Sequence, residues 1–426
     1  MKRNGATVPS GGPGTTPCSI EAAPALAAIP VEQGTIPGGG AMVLRSALCQ
    51  RLGGSRVSVV SGPAGSGKTV LLWSWVARAG LGDNVGWVAA RRGDPDPPWF
   101  WLSVMSALRR TAAGWALARE MPEAPDQDGW AVVEGLLRSL VALRDPVWLV
   151  IDDVQELEPE VTRQLESLVL RAPPVLRFVL ATRHGVRLSL HRVRLEGGLV
   201  EIRPADLRFS SAEAGELFAA AGVEVSEPTV ALLHERTEGW AVGLRLAVLS
   251  LAGHPDPERF AAEFSGSDRT VAEYLLAEVL DRQPGPVRRL LVRTSILERV
   301  NGKLAALLTG DDAAERMLQD LEEANAFVVS LDGPRSWFRY HSMFAGLLAL
   351  ELRRTESGQV TGLHKAASQW FATHGYPLEA IRHAQAAEDW DRAATLLASH
   401  WGELHQDGQQ AITHPPALRP RPQADG

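Results

Sequence analysis

The eight residues GPAGSGKT at 62–69 satisfy the spacing G-x-x-x-x-G-K-[ST], which suits phosphate binding. Gly62, Gly65 and Gly67 let the backbone curl so that its N–H groups converge on phosphate oxygens, and Ser66 and Val70 complete the binding set. Lys68 is placed to reach the terminal phosphates, and the Thr69 hydroxyl to ligate Mg2+. The helix expected to begin here adds its positive end to the same point. Lysine is scarce, with only Lys2, Lys68, Lys303 and Lys365 in the chain, so its presence at this position carries weight.

A second candidate group lies in PVWLVIDDV, where an apolar strand ends in two carboxylates. Burying carboxylates is costly unless they meet a cation. Asp152 is the expected magnesium partner, directly or through water, and Asp153 the candidate catalytic residue that polarises an attacking water. Helix capping is the competing role for such a pair. The run FVLATRHG ends in Thr182 and Arg183. Arg183 is read either as a sensor of the γ-phosphate, through a charge-assisted bond, or as a solvated residue after a strand.

Five apolar runs position these groups: RVSVVSG, NVGWVAA, PVWLVIDD, RFVLATR and LVEIRP. Helical patterns lie between most of them, as expected of a parallel sheet covered on both faces. Residues 41–206 are therefore read as an α/β P-loop NTPase domain. From 207 the pattern turns helical and predicts an all-α lid over 207–283, with Ser210 or Ser211 as the first N-cap. Residues 284–357 read as a winged helix, whose hairpin, AFVVSL and SWFRYH, turns at Asp332-Gly333. Residues 358–404 read as the start of a TPR-like helical array, broken at Gly375, Pro377 and Asp389. The Gly/Pro-rich arm 1–40 and the tail 405–426 read as disordered.

The net charge of −7 gives no general reason to expect nucleic-acid binding, and no apolar run approaches a membrane span. Cys18 and Cys49 are too few for a disulfide framework, which predicts reduced thiols and a cytoplasmic location. Trp73, Trp75, Trp99, Trp101 and Trp240 fall in helical apolar patterns and are read as core. His364, His374 and His383 have no metal-ligand spacing, and Arg353-Arg354 are read as favourable charges at a helix end.

Taken in order, RLGGSRVSVVSGPAGSGKTVLLWSWV, LVIDDVQEL, LRFSSAEAGELF, RTEGWAVGLRLAVLSL, FRYHSMFAGLLALELRR and LHKAASQWFATHGYPLEAIRHAQAAEDWDRAATLL resemble the large ATP-dependent LuxR-type transcriptional regulators. These are the maltose-regulon-activator type of the STAND signal-transduction NTPases, and the resemblance runs from about 43 to 400. It implies a nucleotide switch held off with ADP and released by inducer and ATP to self-associate. It places Gly239 and Trp240 near adenine and His341 on the ADP β-phosphate. Ala241 departs from the proline that family members often carry after this tryptophan. The ending AITHPPALRPRPQADG does not resemble the family's continuation, and is read as a truncation or a frame-shifted end without a helix-turn-helix. No direct DNA binding by this chain is expected. The competing readings are a P-loop ATPase or kinase-type enzyme, and a non-functional truncated scaffold. Any hydrolysis is expected to be slow and to serve the switch.

Overall fold

The computed structural model describes residues 42–90, 97–114, 128–141, 143–185, 188–252, 254 and 256–406. The arm expected at 1–40, Cys18 and nearly all of the expected tail lie outside them.

All five apolar runs are strands: β1 (Val57–Ser61), β2 (Val85–Ala89), β3 (Val147–Asp152), β4 (Leu176–Thr182) and β5 (Leu199–Ile202). They form one parallel sheet in the order β2-β3-β4-β1-β5. Every residue of β3 is buried, which is why VWLVI, ahead of Asp152, reads as a continuous apolar run rather than an alternating one. The helices Lys68–Arg78, Pro97–Arg109, Gly129–Leu140 and Pro159–Arg171 connect the first four strands or cover them. On one face Trp75 meets Trp148 edge-on at 4.9 Å and Trp73 stacks on Trp87 at 5.0 Å. Trp101 is fully buried and donates to Gln164, but Trp99 is 42% exposed. Trp99 therefore does not belong to the core: the two share one helix, and their side chains leave it in different directions.

The sheet order has one consequence for the site. Strand β4 lies between β1 and β3, so the carboxyl ends of all three are neighbours. Those ends carry the glycine loop, the two aspartates and Arg183, in the crevice where ligands of parallel sheets sit.

The lid follows. Ser210 caps Ser211–Ala220 in a reciprocal capping box with Glu213. Arg45 reaches over from the segment before β1, donating to the carbonyls of Leu207 and Arg208 at 2.7 Å and pairing with Glu213. Helices Glu227–Thr237 and Ala241–Leu251 are separated by Glu238 and Gly239, both in the left-handed region. Helix Arg269–Leu275 runs into a π-helical turn, Leu276–Leu280.

The next unit packs Gly285–Thr294, Gly302–Thr309 and Ala314–Glu323 in succession, the last of them against β7 (Val328–Ser330), which pairs with β8 (Trp337–Tyr340). A two-residue strand, β6 (Val300–Asn301), pairs with the other edge of β8, an element with no counterpart in the expected pattern. The hairpin turn is longer than expected. Asp332 organises it by accepting from the backbone N–H of Ser336 and Trp337, and Arg335 rather than Gly333 takes the positive φ. Helix Ser342–Thr355 follows, with Arg353 and Arg354 in its last turn. Val360–Thr373, Pro377–Ala386 and Trp390–Gln406 then stack as short helices, Gly375 making the first break in the left-handed region. The helical end reaches Gln406, two residues beyond the expected array.

Candidate functional site

The loop after β1 has the backbone its glycines predict: Gly65 and Gly67 sit at φ +69° and +85°, conformations that L side chains rarely adopt. Gly62 has an ordinary φ, and its constraint is space, since a Cβ there would approach Leu207 Cδ1 to 2.7 Å and Ser66 Oγ to 2.8 Å. Lys68 opens the following helix and is buried, its Nζ donating to the carbonyls of Gly62 and Pro63 at 2.8 and 3.0 Å. Burial pulls its ammonium down to about 8 against the attraction of Asp152 and Asp153. Val70 is exposed on the first turn of the same helix. Ser66 Oγ is buried without a hydrogen-bond partner, a polar atom aimed into the loop that an anion would satisfy.

Thr69 and Asp152 meet across the β1 and β3 ends, Thr69 Oγ1 donating to Asp152 Oδ2 at 2.7 Å. Burial raises the Asp152 carboxyl, and the Thr69 hydrogen bond opposes that rise. A hydroxyl beside a carboxylate is an oxygen donor pair suited to a hard divalent cation. Among the described residues no cluster of three or more His, Cys, Asp or Glu could bind a metal alone, so phosphate and water oxygens would complete the shell. Asp153 stands at φ 56°. Its Oδ1 accepts from Gln155 Nε2 at 2.8 Å, and Arg183 Nε lies 3.9 Å away. Arg183 is not a solvated residue: its Nη2 donates to Glu278 Oε2 at 3.2 Å, and its carbonyl accepts from Asn325 Nδ2 at 2.9 Å.

The lid closes on the loop through two hydrogen bonds to backbone. Trp240 Nε1 donates to the Ala64 carbonyl at 3.0 Å, and Val242 N–H to the Gly65 carbonyl at 3.0 Å. Ala241, which occupies the position of the family's proline, is the first residue of its helix, where proline is also favoured. Gly239 is fixed by the backbone of Phe209, whose carbonyl lies 2.5 Å from where a Cβ would stand. Trp240 packs edge-on against Phe327 at 5.2 Å and lies 6.1 Å from the His341 ring.

His341 lines a cavity together with Pro63, Ser66, Gly239 and Trp240, so three parts of the chain converge there. Its Nδ1 accepts from Met343 N–H at 3.3 Å, capping helix Ser342–Thr355. Burial pulls the imidazole down to about 4, despite the opposing pull of Glu238. The ring is therefore neutral at pH 7 with its proton on Nε2. Because a phosphate acceptor is itself ionised, a neutral N–H donating to it still makes a charge-assisted hydrogen bond, of about 1.5–3 kcal/mol.

Three residues here had escaped the sequence reading. Glu238 accepts from Arg339 in a two-pronged pair at 2.9 and 2.8 Å and from Ser342 N–H at 3.0 Å, tying the lid to the winged helix. Its only signal was its place before Gly239 at a helix end. Asn325 and Glu278 gave no local signal.

Residues 276–360 match the MalT winged helix domain. The serine/threonine-protein kinase PknK of Mycobacterium tuberculosis is 33% identical over 366 residues, 84% of this chain and 33% of that protein. The HTH-type transcriptional regulator MalT of Serratia proteamaculans is 31% identical over 375 residues, 85% of this chain and 41% of that protein. Over this length the chain is similar to MalT, with a P-loop NTPase fold and a winged helix. The MalT-like chain spans between a third and about two fifths of the length of these relatives. A Walker-type ATPase of Pyrococcus abyssi shares the fold, with TM-score 0.52 and 14% identity over 72% of this chain and 96% of its own. No helix among the described residues is long and apolar enough to cross a membrane.

Proposed function

We propose that this MalT-like chain is the ATP/ADP-binding switch of a LuxR-type transcriptional regulator of the STAND class, using Mg2+ held by Thr69 and Asp152. One observation carries the reading. The phosphate loop, the lid residues Gly239 and Trp240 and the winged-helix His341 face a single cavity. The cavity is about 80 Å³ in this packing, so a nucleotide seated there has to spread the three parts, and its phosphate count would bias how far. The relatives support a control role: the same stretch occurs in a protein named a kinase and in one named a transcriptional regulator, so what they share is the unit upstream of either output. In this reading Lys68 and the loop N–H groups bind the phosphates, Asp153 orients water for slow hydrolysis, and Arg183 reaches the γ-phosphate by turning from Glu278. His341 donates from Nε2 to the β-phosphate and favours the closed, ADP-bound arrangement. ATP opens it toward self-association in the cytoplasm.

Competition binding on wild type and His341→Ala tests this. ADP affinity should fall by about 1.5–3 kcal/mol, roughly tenfold to a hundredfold, with ATP affinity nearly unchanged. Equal losses for the two nucleotides would leave His341 as a helix cap and nothing more.

A further inference from the structure

Arg183 is held from three directions at the point where β4 leaves the sheet. Its guanidinium lies between Glu278 at 3.2 Å and Asp153 at 3.9 Å. Its carbonyl accepts from Asn325, and the next residue, His184, pairs through Nδ1 with the Ala324 carbonyl at 2.9 Å. Glu278 sits on the π-helical turn Leu276–Leu280, the one such turn among the described residues. Turns of this kind are uncommon and recur at functional positions, because the widened backbone redirects a side chain. Here the redirected carboxylate bridges two arginines, Arg183 and Arg282, the latter at 2.8 Å.

Beside this bridge lies a cavity of about 750 Å³ whose lining includes Ala64, Asp153, Arg183, Glu278 and Arg282. It adjoins the phosphate loop through Ala64 and gives the Arg183 side chain room to turn. We propose that Glu278 is a positioning residue that makes this site prefer a nucleoside diphosphate to a triphosphate, by holding Arg183 away from the third phosphate. The proposal rests on the nucleotide reading above and adds the residue that sets the preference.

A third phosphate near the ends of β1, β3 and β4 brings negative charge beside Asp153 and Glu278. Arg183 can compensate it only by leaving Glu278, and Glu278 is then left with Arg282 and the new phosphate. A diphosphate makes no such demand. Because Asn325 and Ala324 hold the backbone from which Arg183 extends, turning Arg183 also loads the winged-helix contact, which couples phosphate count to closure.

Glu278→Gln keeps the shape of a part-exposed side chain and removes its charge. Calorimetric competition on the full chain with Mg2+ should show ATP binding about tenfold tighter, with ADP within about twofold of wild type. In an Arg183→Ala background the same substitution should give at most about a twofold gain for ATP, from relieved repulsion alone. Equal changes for both nucleotides, no change for either, or a full gain without Arg183 would overturn the proposal while leaving the nucleotide reading intact. A wild-type chain that binds neither nucleotide would overturn that reading as well.

Discussion

Trp240 joins the lid to the phosphate loop, and its removal has a calculable and localised cost. The indole is 4% exposed and packs in a core made of lid, winged-helix and array-helix residues together with Val43 and Ala64. The sheet has separate cores on its two faces, which do not include it. Trp240→Ala removes a buried aromatic and the donor to the Ala64 carbonyl, a loss of about 3–5 kcal/mol. Trp240→Phe keeps most of the packing with Phe327 and Tyr274 but leaves that buried carbonyl unpaired, at about 1–3 kcal/mol. Amide hydrogen exchange read by mass spectrometry separates the cores. Protection in peptides covering 209–251 and 324–345 should fall by about two to three and a half orders of magnitude for Ala, and one to two for Phe. Peptides from β3 and β4 should keep theirs. Equal loss in the strand peptides, or none in the lid for the Phe variant, would refute the assignment of Trp240 to the lid contact.

Gly65→Ala should lower the melting temperature more than Gly67→Ala. Both pay about 1–2 kcal/mol for the left-handed backbone, but only at 65 would a Cβ meet Val242 and the Tyr274 hydroxyl, at 2.7 and 2.8 Å. Equal shifts in thermal melts would show that the lid does not rest on the loop there. Acid should loosen the lid–winged-helix contact. Buried His341 titrates near 4 instead of 6.5, so the unfolded chain binds more protons between those values and stability falls as pH drops through them. Burial would raise Glu238, but Arg339 and its other partners hold it near 2, so its contribution is lost in the same direction from about 4.5 downward. His383, also pulled down by burial to about 4, shares the first window, so His341→Asn is the comparison that isolates His341. Melting curves from pH 7 to 4 should be shallower for that variant, and profiles with identical slopes would contradict the buried neutral state.

The parts of the site that lie next to one another in the chain were readable in advance. GPAGSGKT fixes its own backbone through its glycines, and VWLVI, apolar at every position, declares a strand buried on both faces. The helix breaks at Gly375 and Asp389 were equally local. What escaped depends on partners distant in sequence. Glu238 and Arg339 are 101 residues apart and Arg183 and Glu278 are 95, and nothing in their spacing marks them as pairs. His364 and His383 share a 2.8 Å Nδ1–Nδ1 hydrogen bond only because two antiparallel helices bring them level. Strand β6 is two residues long, too short for any period to show. Trp99 and Trp101 read alike as apolar letters and differ because a helix turns between them.

The central claim is that the loop at 62–69 binds a nucleotide through Lys68. Isothermal calorimetry with ADP and Mg2+, on wild type and on a Lys68→Ala variant of unchanged circular dichroism, tests it most directly. Wild type should give a saturable one-site isotherm, and the variant should lose at least about a hundredfold in affinity with the charge-assisted phosphate contact. Wild-type affinity in the variant, or no binding by either protein, would contradict the account.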